Sequence, residues 1–365
     1  MDRDRVSFEN GGAFVRDTRR EVEEYLADRR VLVGGRRRLQ AKAVVALVLT
    51  AVSWAVLMFA SPGLVLGVVC FLGLVVGTAL VAFCVMHDAN HGAFFRARRL
   101  NHLLGWSADV VLGISSHAWR VKHNVAHHTY TNVDGYDADA TQVPLARLIS
   151  VQPRRPWYRF QHIYIWPLYS LMVLRWQTAG DIAAFRNGRI GRSALRPPRG
   201  WDLIGLVAGK ALFLIWAIAV PLLIYPWWLA LAGYAAFAMI MGLVTATTFQ
   251  LAHCVEEADS ASPADLAASR RVWAIHEVET TVDFCPRNSV LTWILGGLNF
   301  QIEHHLFPRI PHTHYPQIAE IVRRNCKLHG VRYSCQPTLR AALRSHFRHL
   351  RALGHDGRRV QLEMG

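Results

Sequence analysis

The sequence predicts an all-α integral membrane protein in which four transmembrane helices form two hairpins beneath a cytoplasmic helical cap. The 365-residue chain is 52% apolar, yet its formal net charge is +15. Lys and Arg are absent from residues 43–95 and 211–269, and both windows contain long apolar runs. Runs of about 20 apolar residues can cross a hydrocarbon core of about 30 Å. This combination suits neither a disordered chain nor an ordinary soluble enzyme.

The apolar runs place the four spans at about residues 39–60, 62–86, 203–225 and 227–252. Each pair is joined by a short turn, at Pro62 or at Pro226, that carries no Lys or Arg, whereas the other segments are rich in Arg. Because basic residues concentrate in cytoplasmic segments, we expect both termini and the active site on the cytoplasmic side of a bacterial inner membrane. A basic chain is also typical of nucleic-acid binding. Here the charges flank membrane spans, so we expect membrane lipid as the anionic partner and no nucleic acid.

The same pattern predicts the domain organisation. An N-terminal tail, residues 1–38, contains an interfacial helix whose inward face carries Val15, Val22, Tyr25 and Leu26. The membrane domain follows over residues 39–345, with its cap formed by 87–202 and 253–345. Residues 346–365 are predicted to be a C-terminal tail.

Eight of the 18 histidines fall at one predicted depth, just inside the cytoplasmic face. The motif HDANH ends the second span, HNVAHH lies in the next loop, one histidine ends the fourth span, and QIEHH follows a short apolar run. These residues are His87, His91, His123, His127, His128, His253, His304 and His305.

The spacing predicts a site for two metals. Residues i and i+4 share a helix face, so His87 and His91 converge on one metal, and so do His123 and His127. His128 is turned by about 100° and points to a second metal. Packed imidazoles would need hydrogen-bond partners, and eight have no simple packing explanation. Imidazole suits Zn, Cu, Fe and Ni; four ligands on each metal with open positions for O2 favour iron.

Polar residues near the boxes are candidates for supporting roles. Asp88 and Glu303 lie inside boxes and are predicted to orient imidazoles through the second ring nitrogen. Asp283, Glu256 and Glu257 are further candidates, and some of these carboxylates fit a cytoplasmic surface instead. Gln301 is a possible additional ligand, and Asn299, Trp119 and Asn124 are predicted to steady the ligands or to line a substrate slot. Arg120, Lys122, Arg154 and Arg155 fit a head-group site or, equally, positive-inside topology.

These motifs resemble those of the membrane fatty-acid desaturases. The string GGLNFQIEHHLFP, with Gln as the first residue of the third box, is similar to the front-end, linoleoyl-CoA desaturase-like members. The resemblance implies a di-iron centre that uses O2 to introduce a double bond into a fatty acyl chain carried by CoA, acyl carrier protein or lipid. It also implies that the seven box histidines are ligands, and His253 matches the additional histidine of the family.

Two departures accompany this resemblance. The sequence contains no HPGG motif, so we expect no fused cytochrome b5 and an external electron donor, such as ferredoxin or a cytochrome b5-type carrier. Stearoyl-type members carry a water-holding Asn four residues before the late histidine. Here that position is Phe249, followed by Gln250.

Other functions fit parts of the pattern. A hydroxylase or acetylenase of a lipid would use the same ligands, and only the mass of the product distinguishes them. A non-catalytic haem- or metal-binding membrane protein is a different class. Tandem HH dipeptides on one side disfavour haem, and the scarcity of polar residues in the spans disfavours metal transport.

Overall fold

The computed structural model describes residues 6–9, 11–141, 144–269 and 271–355. The described part is mostly helical and includes four helices that are long and apolar enough to cross a membrane: Arg29–Phe59, Leu64–His91, Trp201–Ile224 and Trp227–His253. The first five residues of the predicted tail and the last ten of the chain lie outside the described residues.

The N-terminal part contains three long helices and a short one. These are α1 Ala13–Ala27, α2 Arg29–Phe59, α3 Leu64–Leu80 and α4 His87–His91, with the π-helical segment Val81–Met86 joining the last two. Helix α2 begins ten residues before the predicted span. The Asp28 side chain accepts a hydrogen bond from the Arg30 backbone N–H at 2.7 Å and so caps the helix. The predicted boundary at residue 38 therefore lies inside a helix.

The segment between the second and third apolar helices folds into short elements. These are α5 Arg98–Gly105, α6 Ser107–Val111, α7 Ser116–Arg120, the π-helical Val121–His127, the 3-10 helix Pro156–Phe160, α8 Gln161–Ser170, α9 Met172–Arg175, the π-helical Trp176–Gly180, α10 Asp181–Asn187, and the antiparallel strands β1 Arg189–Ile190 and β2 Ser193–Ala194.

The third and fourth apolar helices lie close to the predicted spans. They are α11 Trp201–Leu214, continued by the π-helical Ile215–Ala219 and by α12 Val220–Ile224, and then α13 Trp227–His253. Large side chains on these helices point away from the protein; Leu223, for example, is 86% exposed. Such apolar surface requires an apolar surrounding.

The C-terminal region returns the chain to the histidine-bearing helix ends. Its elements are α14 Pro263–Ser269, α15 Trp273–Thr280, β3 Asp283–Phe284, α16 Ser289–Ile294, α17 Gln301–Leu306, the 3-10 helix His312–His314, α18 Tyr315–His329, β4 Cys335–Gln336, which pairs in parallel with β3, and α19 Leu339–His355. Helix α19 runs through the predicted tail boundary at residue 345.

Helix α1 packs against α18 with its predicted inward face. Val22 is buried there, and Val15, Tyr25 and Leu26 are partly buried around the same apolar cluster. A larger core joins α2, α3 and α13 and includes Leu80, which is fully buried beneath the first histidine box. Both cores thus hold the histidine-bearing helix ends in place.

Candidate metal centre

The eight predicted histidines meet in one buried site. The end of the second apolar helix supplies His87 and His91, the end of α13 supplies His253, and α17 supplies His304 and His305. The π-helical Val121–His127 and the residue after it supply the remaining three. All eight are at most 7% exposed.

The imidazoles form two adjacent clusters. In the first, ring nitrogens of His87, His91, His123 and His304 lie within 4.8 Å of one another. In the second, ring nitrogens of His127, His253 and His305 do the same. His128 connects the two clusters. Its Nε2 is 2.9 Å from Nε2 of His304 and 3.2 Å from Nε2 of His123, and its ring stacks on His305 at 4.3 Å.

The assignment of histidines to the two clusters differs from the prediction. His123 and His127 were expected to share one metal, but they lie in different clusters. The reason is the π-helical turn, in which the His128 backbone N–H donates to the His123 carbonyl at 3.0 Å. In such a turn residues i and i+5 share a face, so His128 joins His123 and His127 points to the second cluster.

Buried polar groups hold the outer nitrogens of four imidazoles. Nδ1 of His87 lies 3.4 Å from Asp88, and Nδ1 of His127 lies 3.1 Å from Asp137. Nδ1 of His304 lies 3.3 Å from Tyr315, and Nδ1 of His305 lies 2.6 Å from Glu277. A partner at Nδ1 fixes the tautomer and leaves Nε2 as the free lone pair, which is the usual arrangement around a protein-bound metal.

The inner nitrogens fit a metal. Nε2 of His87, His91 and His305 is buried without a hydrogen-bond partner, which is costly unless the lone pair is bound. Two nitrogens that bind one metal at about 2.1 Å lie about 3 Å apart, close to the separations measured at His128.

The protonation states of these imidazoles also favour metal binding. Burial, together with the neighbouring imidazoles, holds the pKa of His123, His128, His304 and His305 well below its usual value. Burial alone lowers the pKa of His127 too, but the charge and hydrogen bond of Asp137 outweigh it, and the net shift is upward. The four depressed imidazoles are neutral at physiological pH, as ligation requires.

The carboxylates behave differently from one another. Asp88 contacts His87, as predicted, and also His312. Glu303, also predicted to orient an imidazole, accepts a hydrogen bond from Tyr333 instead.

The remaining three predicted carboxylates contact no imidazole of the centre. Asp283 accepts from the backbone N–H of Ile302 at 3.1 Å and so holds α17 in place. Glu257 accepts from Ser345, and the backbone N–H of Glu256 donates to that serine.

Sequence reasoning missed four supporting residues: Glu277, Asp137, Tyr315 and His312. None lies inside a histidine box, and Glu277 comes from α15, which carries no ligand. Asn132 is a fifth. It adopts φ 56°, and its side-chain amide donates to the His253 carbonyl at 2.8 Å and to two further carbonyls. The hydrogen bond from Asn132 to His253 thereby holds the end of α13 beside the second histidine box.

Three predicted polar or aromatic residues have distinct places. Trp119 is buried, stacks on His123 at 4.4 Å and lies 5.7 Å from His87. Asn124 donates to the Asn90 carbonyl at 2.9 Å. Asn299 does not reach an imidazole; its amide donates to Thr292 at 3.0 Å and holds the turn before α17.

The two glutamines lie beside the second cluster. Nε2 of Gln301 is 3.4 Å from Nε2 of His253, and its Oε1 is buried without a partner. Oε1 of Gln250 is also buried without a partner, in a small pocket lined by His127 and His253. Each amide oxygen is therefore available to a ligand or a water molecule.

A narrow apolar cavity reaches the first cluster from within the membrane helices. It is lined by His87, Trp119, Met241, Thr245 and Phe249. A neighbouring pocket of about 220 Å³ shares Trp119 with it and is also lined by Lys122. Lys122 lies 2.5 Å from Asp139.

The other cations that fitted a head-group site lie elsewhere. Arg120 pairs with Asp202, Arg154 donates to the Gly354 carbonyl at 3.2 Å, and Arg155 lies over the Trp157 ring at 5.2 Å. Lys122 alone of the four lines the pocket that shares Trp119 with the apolar cavity.

Known proteins resemble this chain over most of its length. Residues 62–337 match the fatty acid desaturase family model. The chain belongs to the fatty acid desaturase family. This desaturase is therefore an oxidoreductase of fatty acyl chains and a membrane protein.

Two similar cyanobacterial proteins span nearly the same length as this desaturase. One is the sn-1 linoleoyl-lipid 6-desaturase of Arthrospira platensis, 34% identical over 96% of this chain and 95% of the relative. The other is the protein of the same name from Synechocystis sp., 32% identical over 96% of this chain and 98% of the relative. The acyl-lipid (8-3)-desaturase of Physcomitrium patens is 37% identical over 76% of this chain and 58% of its own length.

Proposed function

We propose that this desaturase is a di-iron enzyme that uses O2 to introduce a double bond into a lipid-linked fatty acyl chain. The observation that carries the proposal is the pair of adjacent buried imidazole clusters at the end of an apolar cavity. The acyl chain loses two hydrogens. O2 accepts them, together with two electrons and two protons, and yields two molecules of water.

The ligands proposed for the first iron are His87, His91, His123 and His304, and those for the second are His127, His253 and His305. His128 lies between the two sets, and Gln301 is the proposed additional ligand of the second. Iron, when bound, supplies the redox chemistry that activates O2 and removes hydrogen from an unactivated carbon.

The protein residues have separate roles in this proposal. Asp88, Asp137 and Glu277 hold imidazoles in the tautomer that presents Nε2 inward. Trp119 and Phe249 give the centre an apolar wall, which keeps water from the reacting carbon and fixes the chain beside the metals. Lys122 lines the neighbouring pocket that shares Trp119 with the cavity, and beside its partner Asp139 it remains a hydrogen-bond donor for the polar end of the substrate.

We propose a lipid as the acyl carrier, in preference to CoA or acyl carrier protein. The supporting observation is that both relatives spanning nearly the whole chain are named linoleoyl-lipid desaturases. A lipid can also enter the cavity directly from the bilayer between the apolar helices.

The proposed topology has two transmembrane hairpins, with the termini and metal centre on the cytoplasmic side of a bacterial inner membrane. The positive-inside pattern supports this orientation. Electrons then come from a cytoplasmic carrier, either a ferredoxin or a cytochrome b5-type protein.

The proposal is tested by expression in a bacterium that makes no polyunsaturated lipid, with linoleate supplied. We expect membrane lipids to gain an acyl chain lighter by two hydrogens, and the purified protein to contain about two irons per chain. The double variant His304→Ala, His305→Ala should lose both, whereas His355→Ala, at an exposed position, should lose neither. A product heavier by one oxygen would show that the enzyme is a hydroxylase and not a desaturase. A protein without iron would contradict the di-iron centre.

A further inference from the structure

A further pocket, of about 560 Å³, reaches the candidate metal centre from a different side from the apolar cavity. His91 and His128 line it beside Asn124, and Arg96, Arg98 and Arg309 are exposed around it. We refer to it as the arginine pocket. Because it contacts two imidazoles of the centre, it connects the protein surface to the metal site.

The charges around the arginine pocket are not balanced within the protein. Its fourth arginine, Arg120, is paired with Asp202. Arg96, Arg98 and Arg309 have no carboxylate at ion-pair distance in the part of the chain that the structure describes. Exposed like charges around a concave surface create a positive potential that attracts an anionic partner.

The arginine pocket is unsuited to an acyl chain. The apolar residues that line it are small: Ala89, Gly92 and Pro308. The apolar cavity approaches the centre through His87, Trp119 and Phe249 instead. A partner in the arginine pocket therefore reaches the imidazoles without displacing the substrate.

We propose that the arginine pocket is the docking site of an acidic one-electron carrier protein of the ferredoxin class. This inference rests on the proposed function, which requires two electrons for each double bond. In each encounter the reduced carrier gives up one electron beside the imidazoles of His91 and His128, which line the pocket and would hold the iron that accepts it. Two encounters supply the two electrons needed for one double bond. Complementary charge at the rim accelerates the encounter and sets its orientation.

The test uses the full-length protein in nanodiscs of uncharged lipid and a plant-type [2Fe–2S] ferredoxin as the probe. The variant Arg98→Glu, Arg309→Glu is compared with Arg340→Glu, Arg344→Glu, a matched double reversal at exposed positions of α19. At low ionic strength we expect the first variant to raise the Kd for ferredoxin at least tenfold and the second to leave it within twofold. Because salt screens exposed charges over about 8 Å at physiological ionic strength, the difference should shrink as salt is added.

Binding is measured directly, and iron content is measured alongside it, so the test does not depend on turnover. An unchanged Kd in the Arg98, Arg309 variant overturns the docking site. So does a result in which this variant loses affinity only for vesicles containing phosphatidylglycerol, because the arginines would then bind lipid. Failure of the proposed function is a separate result: the wild-type protein would contain no iron, or would form no product even with photoreduced flavin as the reductant.

Discussion

At the scale of single residues, the candidate metal centre depends on groups that contact the outer ring nitrogens of its imidazoles. His305 and Glu277 illustrate this most directly, with Nδ1 and the carboxylate 2.6 Å apart and both side chains fully buried. Thr131 donates a second hydrogen bond to the same carboxylate at 2.7 Å. Burial raises the pKa of Glu277 well above its usual value, and the hydrogen bond from Thr131 opposes this shift.

Removing the carboxyl group that contacts His305 should weaken metal binding. We expect Glu277→Gln to lower iron affinity about tenfold and Glu277→Ala about 100-fold, the range typical for partners of metal ligands. Competition with a calibrated chelator measures this. Glu256→Gln, in an exposed carboxylate away from the centre, is the control, and equal affinity in all four proteins would contradict the role of Glu277.

We expect His346 to make the stability of the protein depend on pH. It is fully buried, its Nδ1–H donates to the Cys254 carbonyl at 2.6 Å, and its Nε2 accepts from Tyr169 at 3.0 Å. Burial lowers its pKa from 6.5 to about 4. The unfolded chain therefore binds a proton more readily, and stability falls as pH drops from about 6.5 towards 4, by about 3 kcal/mol for this residue at the lower end.

The thermal midpoint of the metal-free protein between pH 7 and pH 5 checks this expectation. His346→Gln should show a smaller loss on acidification than the wild type. His355→Gln, at an exposed position, should keep the wild-type dependence. A variant at His346 that remains as sensitive to acid as the wild type would show that other groups dominate the pH dependence.

The sequence predicts the imidazoles of the candidate metal centre better than it predicts the groups that contact them. The eight histidines could be singled out because they share short motifs and one predicted depth at the membrane face, and the structure brings them together. Asp137, Glu277 and Tyr315 were missed because each reaches its imidazole through tertiary packing, not through local spacing. Glu303 was a wrong expectation for the same reason: it lies inside a box, but its side chain faces Tyr333.

At the scale of elements, local backbone geometry decides which imidazole joins which cluster. The i, i+4 argument assumes α-helical geometry throughout, and HNVAHH gave no sequence signal for a π-helical turn. That turn moves His127 to the second cluster and brings His128 to His123. The four long helices could be predicted from the length of their apolar runs. The start of α2 at Arg29 could not, because the first turns of this helix are basic and continue no apolar run.

The turn before α17 depends on a glycine. Gly296 has φ 62°, and a Cβ at this position would lie 2.4 Å from the Phe83 carbonyl oxygen. We expect Gly296→Ala to displace α17, with a loss of about 1–3 kcal/mol of stability and of bound iron. Gly233→Ala is the matched control, since nothing lies within 4 Å of the corresponding position; thermal unfolding and iron content that are equal in the two variants would contradict the prediction.

A buried chain of contacts connects α2 to the first histidine box. Lys42, only 5% exposed, lies 3.1 Å from Nε2 of His312, and Nδ1 of His312 lies 2.8 Å from Asp88. A charged residue in an apolar helix is costly without partners, so this contact fixes the orientation of Asp88 beside His87.

Lys42→Met should leave His312 without its partner. We expect a loss of about 1–3 kcal/mol of stability and a several-fold lower iron affinity, smaller than that of Glu277→Ala because the effect is indirect. Lys42→Gln, which can still donate a hydrogen bond, should recover part of both. Mössbauer parameters of the iron that remains test whether its ligand environment has changed, and wild-type values and affinity in Lys42→Met would contradict the positioning role.

At the scale of the whole molecule, two of the four apolar helices, Leu64–His91 and Trp227–His253, end in histidines of the candidate metal centre, and the apolar cavity runs beside them. The sequence predicted this arrangement from apolar runs and histidine depth, and the family comparison agrees with it. The course of the cavity could not be predicted, because its walls come from helices distant in the sequence, such as Trp119 near the second box and Met241 in α13.

The cavity makes a prediction about the substrate. Thr245 is buried in α13 and lines the wall below Phe249. Thr245→Phe would fill a narrow space, so longer acyl chains should no longer pass the metal centre while shorter ones still can. Leu243→Phe, on the exposed side of the same helix, is the control and should leave the chain-length profile unchanged. The ratio of unsaturated products from long and short acyl donors measures the effect. If both chain lengths lose activity equally at unchanged iron content, the cavity beside Thr245 is not where the acyl chain lies, and the substrate must reach the imidazoles by another route.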